Sequence, residues 1–262
     1  MANDLASPLT HIINACIETS TFPSLWKIVR ISPIPKVESP FPPVSILPAL
    51  SKIFERLVLR QLITFIEKVT LFGHRMSGFR KGHSTTTALI GIREDLKRSM
   101  NRGEVSLMVF ADYSKDFDSV RFSTALKKMH CLGFSGSCLK WMIKYLSDRH
   151  HFVQIHDRRS DMAHVAFGVP QGSILGPVIF NLYVADLQNN VNCQSFQYAG
   201  DTTLYIYTKV SDLLGETTDI NHNLNRLGEY SNESNLVLNA AKTKWMLVST
   251  SQRSRYNSLD RK

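Results

Sequence analysis

Residues 196–207, FQYAGDTTLYIY, alternate in a way that predicts a β-hairpin. Tyr198-Ala199 closes a first short strand, Gly200-Asp201 turns, and Thr202 to Tyr207 runs back. In the return strand Leu204 and Ile206 fall on one face, Tyr205 and Tyr207 on the other. Upstream, EVSLMVFADYS (104–114) is an apolar run bounded by charges, the pattern of a buried strand. The segments HFVQIH, LVLN and WMLVST predict further strands, and WKIVRISPIPK predicts a strand ending in a turn.

Helical spacing appears over 5–20, and over 49–69, where Ile53, Leu57, Leu62 and Ile66 recur among charges. Ser84 and the threonines at 85–87 offer caps for a helix running to about Met100. Residues 123–147 and 211–235 also read as helical. Prolines 23, 33, 35, 40, 42, 43 and 48 forbid one helix across 21–48. MSGFRKGHST (76–85) is a basic, glycine-containing loop, and the tail SQRSRYNSLDRK is polar, basic and expected to fray. The order of elements is mixed α and β without the regular alternation of a doubly wound sheet.

Residues 165–185, VAFGVPQGSILGPVIFNLYVA, carry no charge and are long enough to cross a bilayer. Pro170, Gly172, Gly176 and Pro177 crowd the middle, so a turn leading into a buried helix is predicted and no membrane partner. The chain has 262 residues, 43% of them hydrophobic and 20% charged, which places it with globular proteins rather than disordered ones. Lysine and arginine exceed acids by 31 to 22, a net charge of +9, so an anionic partner is favoured and nucleic acid comes first. Cys16, Cys131, Cys138 and Cys193 are scattered without a C-x-x-C pair. Reduced thiols in an intracellular protein, cytoplasmic or nuclear, fit that spacing, and a zinc site from His130, Cys131 and Cys138 does not.

Asp112 stands directly after the apolar strand. Burying a lone carboxylate is costly, so an acid there meets solvent, a cation or a metal. Alone it could equally be a solvated strand end or a cap, and Asp116 and Asp118 could be turn residues. Together with Asp201 at the hairpin it becomes a candidate for binding a hard cation such as Mg²⁺, provided the two strands are neighbours.

Three segments in order, VFADYSKDFDSV (109–120), GVPQGSILGPVIFNLYVADL (168–187) and QYAGDTTLYI (197–206), resemble consecutive polymerase motifs of the reverse transcriptases of non-LTR, jockey-like retrotransposons. FPSLWKIVRISPIPK, SILPALSKIFER, GFRKGHST and NLVLNAAKTKWMLV are similar to that class as well, so the likeness runs from about residue 8 to 250. It implies an α+β fold of the right-hand polymerase type, with fingers and palm, an antiparallel palm sheet with packed helices, and no thumb. Residues 1–262 would form one reverse transcriptase-like domain, with about 1–104 mostly fingers, about 105–250 mostly palm and 251–262 a frayed tail.

The same resemblance implies RNA-directed DNA synthesis with Mg²⁺, or Mn²⁺ in its place, and an RNA template, a DNA primer and a dNTP as partners. Asp112 and Asp201 would be catalytic metal ligands, with the carbonyl of Tyr113 a further ligand. Phe117 would pack under the incoming sugar; it could also be plain core. Pro170, Gln171 and Gly172 would form the loop on nucleotide and template; they could also be a simple turn. Arg80 and Lys242 would lie near template and triphosphate; both could be solvated surface charges.

The chain departs from the family's pattern in three places. Gly200 replaces the first aspartate of the usual Tyr-Ala-Asp-Asp hairpin, Asp116 replaces a small residue, and Pro42 stands where an arginine belongs. A metal ligand would be lost at 200, and a negative charge added near the triphosphate at 116. With no thumb or endonuclease expected, the reading is a truncated and degenerate copy of a longer element protein.

Overall fold

The computed structural model describes residues 2–33 and 43–250, so Pro42 and the tail from 251 lie outside the described residues. Its helices are α1 (Ala2–Glu18), α2 (Ala49–Lys68), α3 (Thr85–Asn101), α4 (Phe122–Cys131), α5 (Gly136–Leu146), α6 (Gly176–Val184) and α7 (Leu213–Glu233). Its strands are β1 (Ile28–Pro33), β2 (Pro43–Ile46), β3 (Val105–Ala111), β4 (Tyr113–Ser114), β5 (Arg149–Ile155), β6 (Arg158–Arg159), β7 (Ala163–Val165), β8 (Gln194–Tyr198), β9 (Asp201–Thr208), β10 (Val237–Leu238) and β11 (Lys244–Val248). This is a mixed helix-and-sheet chain, and no helix among the described residues is long and apolar enough to cross a membrane. It divides into two compact units, each assembled from two separate stretches: 1–71 with 117–183, and 72–116 with 184–262.

In the first unit β1 pairs antiparallel with β2 and parallel with β5, which also pairs with β6 and β7. An aromatic cluster fills its core. Phe22 stacks on Phe54 at 5.7 Å, Trp141 stacks on Tyr145 at 5.4 Å, and Phe54 meets Trp141 edge-on at 5.3 Å. The buried face of α2 agrees with its apolar spacing in the second half, at Leu62 and Ile66, and departs from it in the first. Ile53 and Leu57 are exposed, and Ser51, Phe54, Glu55, Leu62 and Ile66 are buried. Burying Glu55 is possible because both of its carboxylate oxygens accept hydrogen bonds. The Ser51 hydroxyl donates to one carboxylate oxygen at 2.9 Å, and the backbone N–H groups of Ile174 and Leu175 donate to the other at 2.7 and 3.3 Å. That carboxylate caps the turn into α6, which is a buried helix as its sequence requires, with Ile179, Phe180 and Tyr183 inside. The helix predicted over 123–147 is instead two helices. Gly133 (φ 86°) ends the first, and Ser135 caps the second by accepting from the Cys138 N–H.

The second unit holds a four-stranded antiparallel sheet in the order β11-β3-β9-β8, with α3 on one face. Ala88, Ile92 and Leu96 of α3 pack against Met108, Phe196, Tyr205 and Tyr207. Ile220 and Leu224 of α7 line a groove with Leu107, Val109 and Leu247, residues of the opposite parity in β3 and β11. Helix α3 opens with a capping box, Ser84 and Thr87 each accepting from the other's backbone N–H. Tyr205 and Asp95 tie the sheet to α3: the Tyr205 hydroxyl donates to Asp95 at 2.7 Å, and Arg75 pairs with Asp95 at 2.9 Å. The hairpin is present, with its turn one residue earlier than predicted. Tyr198 pairs with Asp201, so Ala199 and Gly200 form the loop and Asp201 begins the strand. Ala199, not glycine, takes the left-handed position (φ 55°).

Candidate active site

Sheet register brings the acids of the second unit together. Met108 pairs with Tyr205 and Phe110 with Thr203 on the α3 face, and the ladder ends at Ala111 and Thr202. One further step sets Asp112 opposite Asp201. On the other side of β3 the turn that precedes β11 carries Lys242, whose ammonium reaches the Asp112 carboxylate. Directly opposed residues in a regular antiparallel ladder stand about 5 Å apart at Cβ. Asp112, Asp201 and Lys242 accordingly line one cavity of about 670 Å³, with Phe110, Phe196 and Tyr198 among its apolar walls.

The electrostatics follow from that placement. The Lys242 ammonium lies 3.4 Å from Asp112 Oδ2. That oxygen is enclosed and accepts no hydrogen bond, whereas the Asp112 carbonyl accepts from the Asn239 N–H at 2.8 Å. Asp201 is raised above the usual carboxylate range, first by burial of its carboxyl group and then by the negative charge of Asp112, with Lys242 opposing. Two hard oxygen donors at neighbouring strand ends, one enclosed without a hydrogen bond and already drawing a cation, suit a divalent ion of the Mg²⁺ or Mn²⁺ type. Such an ion takes one or two carboxylates and completes its shell with water and substrate phosphates. Among the described residues no three His, Cys, Asp or Glu side chains gather closely enough to hold an ion by themselves.

Tyr113 points away from this chemistry. Its buried hydroxyl is hydrogen-bonded with that of Ser231 at 3.2 Å, and burial pushes it up to about 12. Arg80 is engaged in its own loop, donating to the carbonyls of Gly73 and Met76 at 2.8 and 2.9 Å, with its guanidinium 5.6 Å from the Phe72 ring.

The remaining predicted residues belong to the first unit. Phe117 stacks on Phe180 at 4.9 Å. The Gln171 amide donates to both carboxylate oxygens of Asp118, at 3.3 and 3.2 Å, and the Gln171 carbonyl accepts from the Ser45 N–H at 2.8 Å. Gly172 (φ 110°) follows so close to β2 that a Cβ would lie 2.6 Å from the Ser45 carbonyl oxygen. Pro170 precedes them, its carbonyl accepting from the Ser173 N–H at 3.0 Å. This loop is thus fixed on one side by β2 and on the other by Asp118. Sequence reading misses Glu55, the acid that holds the turn behind it. The available signal was a glutamate on the same helical face as Phe54 and Leu62, set among apolar neighbours.

Comparison with known proteins follows the same line. The reverse transcriptase (RNA-dependent DNA polymerase) family matches residues 34–258. The probable RNA-directed DNA polymerase from transposon X-element of Drosophila melanogaster is 32% identical over 186 residues, 68% of this chain and 20% of that protein. The RNA-directed DNA polymerase from mobile element jockey of the same fly is 28% identical over 249 residues, 89% of this chain and 27% of that protein. The chain therefore spans about a fifth to a quarter of the length of these relatives. Among solved structures, a Candida tropicalis telomerase in complex with a TWJ fragment of telomeric RNA superposes with a TM-score of 0.61. That likeness has 12% identity and covers 94% of this chain and 44% of the telomerase.

Proposed function

The chain belongs to the reverse transcriptase family, as a domain of the jockey-like non-LTR kind, and on that premise we propose that the cavity beside Asp112 and Asp201 is the reacting centre of RNA-templated DNA synthesis. The observation that carries this reading is the register that puts both acids on one sheet face, at the ends of neighbouring antiparallel strands. In it the sheet β11-β3-β9-β8 is the palm, within about 105–250, and fingers elements come largely from about 1–104. Asp112 and Asp201 would hold Mg²⁺, or Mn²⁺ in its place, with the Tyr113 carbonyl a further donor. When bound, the ion supplies Lewis-acid activation of the primer 3′-hydroxyl and neutralises charge on the leaving pyrophosphate.

The chain's own residues do the positioning. Lys242 balances the acids while the site is empty of nucleotide and is placed to meet phosphate when it is filled. In the first unit, Phe117 is a ring held by Phe180, and Pro170, Gln171 and Gly172 are a loop of fixed shape, the residues that the family's pattern assigns to the sugar, the nucleotide and the template. Arg80 serves by shaping the basic loop that follows it rather than as a mobile phosphate contact. Catalysis is then orientation plus charge stabilisation, with no side-chain general base required.

The test is extension of a DNA primer on a homopolymer RNA template with Mg²⁺ or Mn²⁺. We expect weak extension, because Gly200 removes a carboxylate. Asp112→Asn should abolish it while binding of the RNA–DNA hybrid, weakened by salt through counterion release, persists. Gly200 also favours a second reading, a nucleic-acid-binding domain that no longer polymerises. Salt-sensitive hybrid binding with no extension and no divalent-ion binding would establish that reading instead.

A further inference from the structure

Among the described residues Arg149, in the first unit, is the largest side chain buried completely. Its Nε–H donates to the Tyr145 carbonyl at 3.0 Å, answering the C-terminal end of α5. Its guanidinium lies 4.6 Å from the centre of the Tyr145 ring and 5.7 Å from that of Phe22. Neither Nη1 nor Nη2 has a hydrogen-bond partner. A guanidinium enclosed with two unanswered donors is costly, and an anion is its natural complement. The neighbouring acid does not supply one, because Asp148 is exposed and pairs with Lys27 at 3.9 Å. Lys27 is itself buried and adds to the positive field. Its ammonium is held below the usual lysine range, by burial first; Asp148 opposes, while Arg149 and Lys144 act in the same direction as burial.

Register sets Arg149 on a cavity. Val29 pairs with His151 and Ile31 with Ser45, so these four share one face of the β2-β1-β5 sheet with Arg149. All five line a cavity of about 480 Å³, whose remaining wall is the segment 164–171 with Asp118. That wall is tied down: the Gly168 N–H donates to the Val120 carbonyl at 2.8 Å, and the Val169 N–H to the Phe117 carbonyl at 2.9 Å. Asp118 is the acid of the lining, and the Gln171 amide already donates to both of its oxygens. We propose that this cavity binds a phosphate group, held by the two free N–H edges of Arg149, with the imidazoles of His151 and His164 as further donors. The end of a guanidinium presents two parallel N–H bonds that match two oxygens of one phosphate, and the other oxygens can accept from imidazole N–H groups. The volume exceeds that of phosphate alone and lies in the range of small-molecule sites, so the phosphate is carried by a larger group. The site adds a ligand to the first unit and does not depend on the reading of Asp112 and Asp201.

The experiment is titration calorimetry of inorganic phosphate into the full chain in chloride at constant ionic strength, with thermal melting alongside. Phosphate should bind saturably and raise the melting temperature, as a ligand of the folded state does. Arg149→Lys keeps the charge but loses the paired N–H edges, and should weaken phosphate binding about tenfold or more. Ala166→Trp fills the cavity from an exposed position in its wall, leaves Arg149 in place, and should abolish binding. A second arm repeats the titration with a short RNA–DNA hybrid present. Loss of the phosphate signal there means that the phosphate comes from a strand, and its persistence that it comes from a small molecule; either result upholds the site. If phosphate does no more than chloride to the unsubstituted chain, Arg149 serves packing alone and the inference falls. If Ala166→Trp or Arg149→Lys binds phosphate as tightly as the unsubstituted chain, the anion sits elsewhere and the inference falls as well.

Discussion

Each unit builds a turn around a carboxylate and a glycine, and the two turns obey opposite rules. In the first, Glu55 is fully buried and receives hydrogen bonds from Ser51, Ile174 and Leu175, and Gly172 is forced by backbone: φ 110° and the Ser45 carbonyl. In the second, Asp112 keeps an enclosed oxygen without a hydrogen bond, and Gly200 is forced only by the tip of the Asp116 side chain. A carboxylate whose two oxygens both accept hydrogen bonds within the protein belongs to the fold. One left unanswered beside a cation is available for ligand chemistry.

The largest way to test this contrast is to remove each acid. Glu55→Ala leaves two buried N–H donors unpaired and a cavity behind them, and should cost about 3–5 kcal/mol in urea unfolding. Asp112→Asn should change stability by less than about 1 kcal/mol in the same measurement, yet remove stabilisation by divalent ions. Equal losses would erase the distinction. Next come the glycines. Gly172→Ala should cost about 2–3 kcal/mol, because neither its φ nor the Ser45 backbone can yield. Gly200→Ala should cost about 1 kcal/mol, because a side-chain tip can move aside, and Asp116→Ala should cancel most of that.

The smallest effect is a pH dependence. The carboxyl group of Asp201 is raised in the folded state, so ionising it opposes folding. Below the ordinary aspartate value of about 3.9 the group is protonated whether the chain is folded or not, and no penalty exists. The penalty grows as pH rises through the folded-state value. Asp201→Asn should therefore melt higher than the parent near neutral pH, with the advantage fading as pH falls toward about 4. A constant advantage at every pH would mean that burial and Asp112 do not act on that carboxyl.

The strands were legible in the sequence for different local reasons, a continuous apolar run at 104–114 and an apolar alternation at 196–207, and the strands near 237 and 244 form as well. The cap at Ser84 was legible for the same kind of local reason. The buried face of α2 was legible at Leu62 and Ile66 but not in its first half, which contains a glutamate whose partners, Ile174 and Leu175, are remote in sequence. The break at 133–135 was readable in principle from a glycine followed by a serine cap, but the apolar spacing on either side hides it. At the candidate site, the pairing of Asp112 with Asp201 could be anticipated from two strand ends. The contact between Asp116 and the space above Gly200 could not, because only the fold sets 116 beside 200.

The pairing of distant stretches also governs how the chain can acquire its structure. Ile28 lies parallel to His150, and Val105 lies opposite Thr208. Contacts so remote along the chain slow folding, because loop closure must precede any gain from pairing. On a ribosome adding about 5–20 residues per second, the edge of β1 that β5 will cover waits many seconds for its neighbour. During that interval an unpaired strand edge is open to other chains, so synthesis at lower temperature, or with a chaperone that shields strand edges, should raise the yield of monomer.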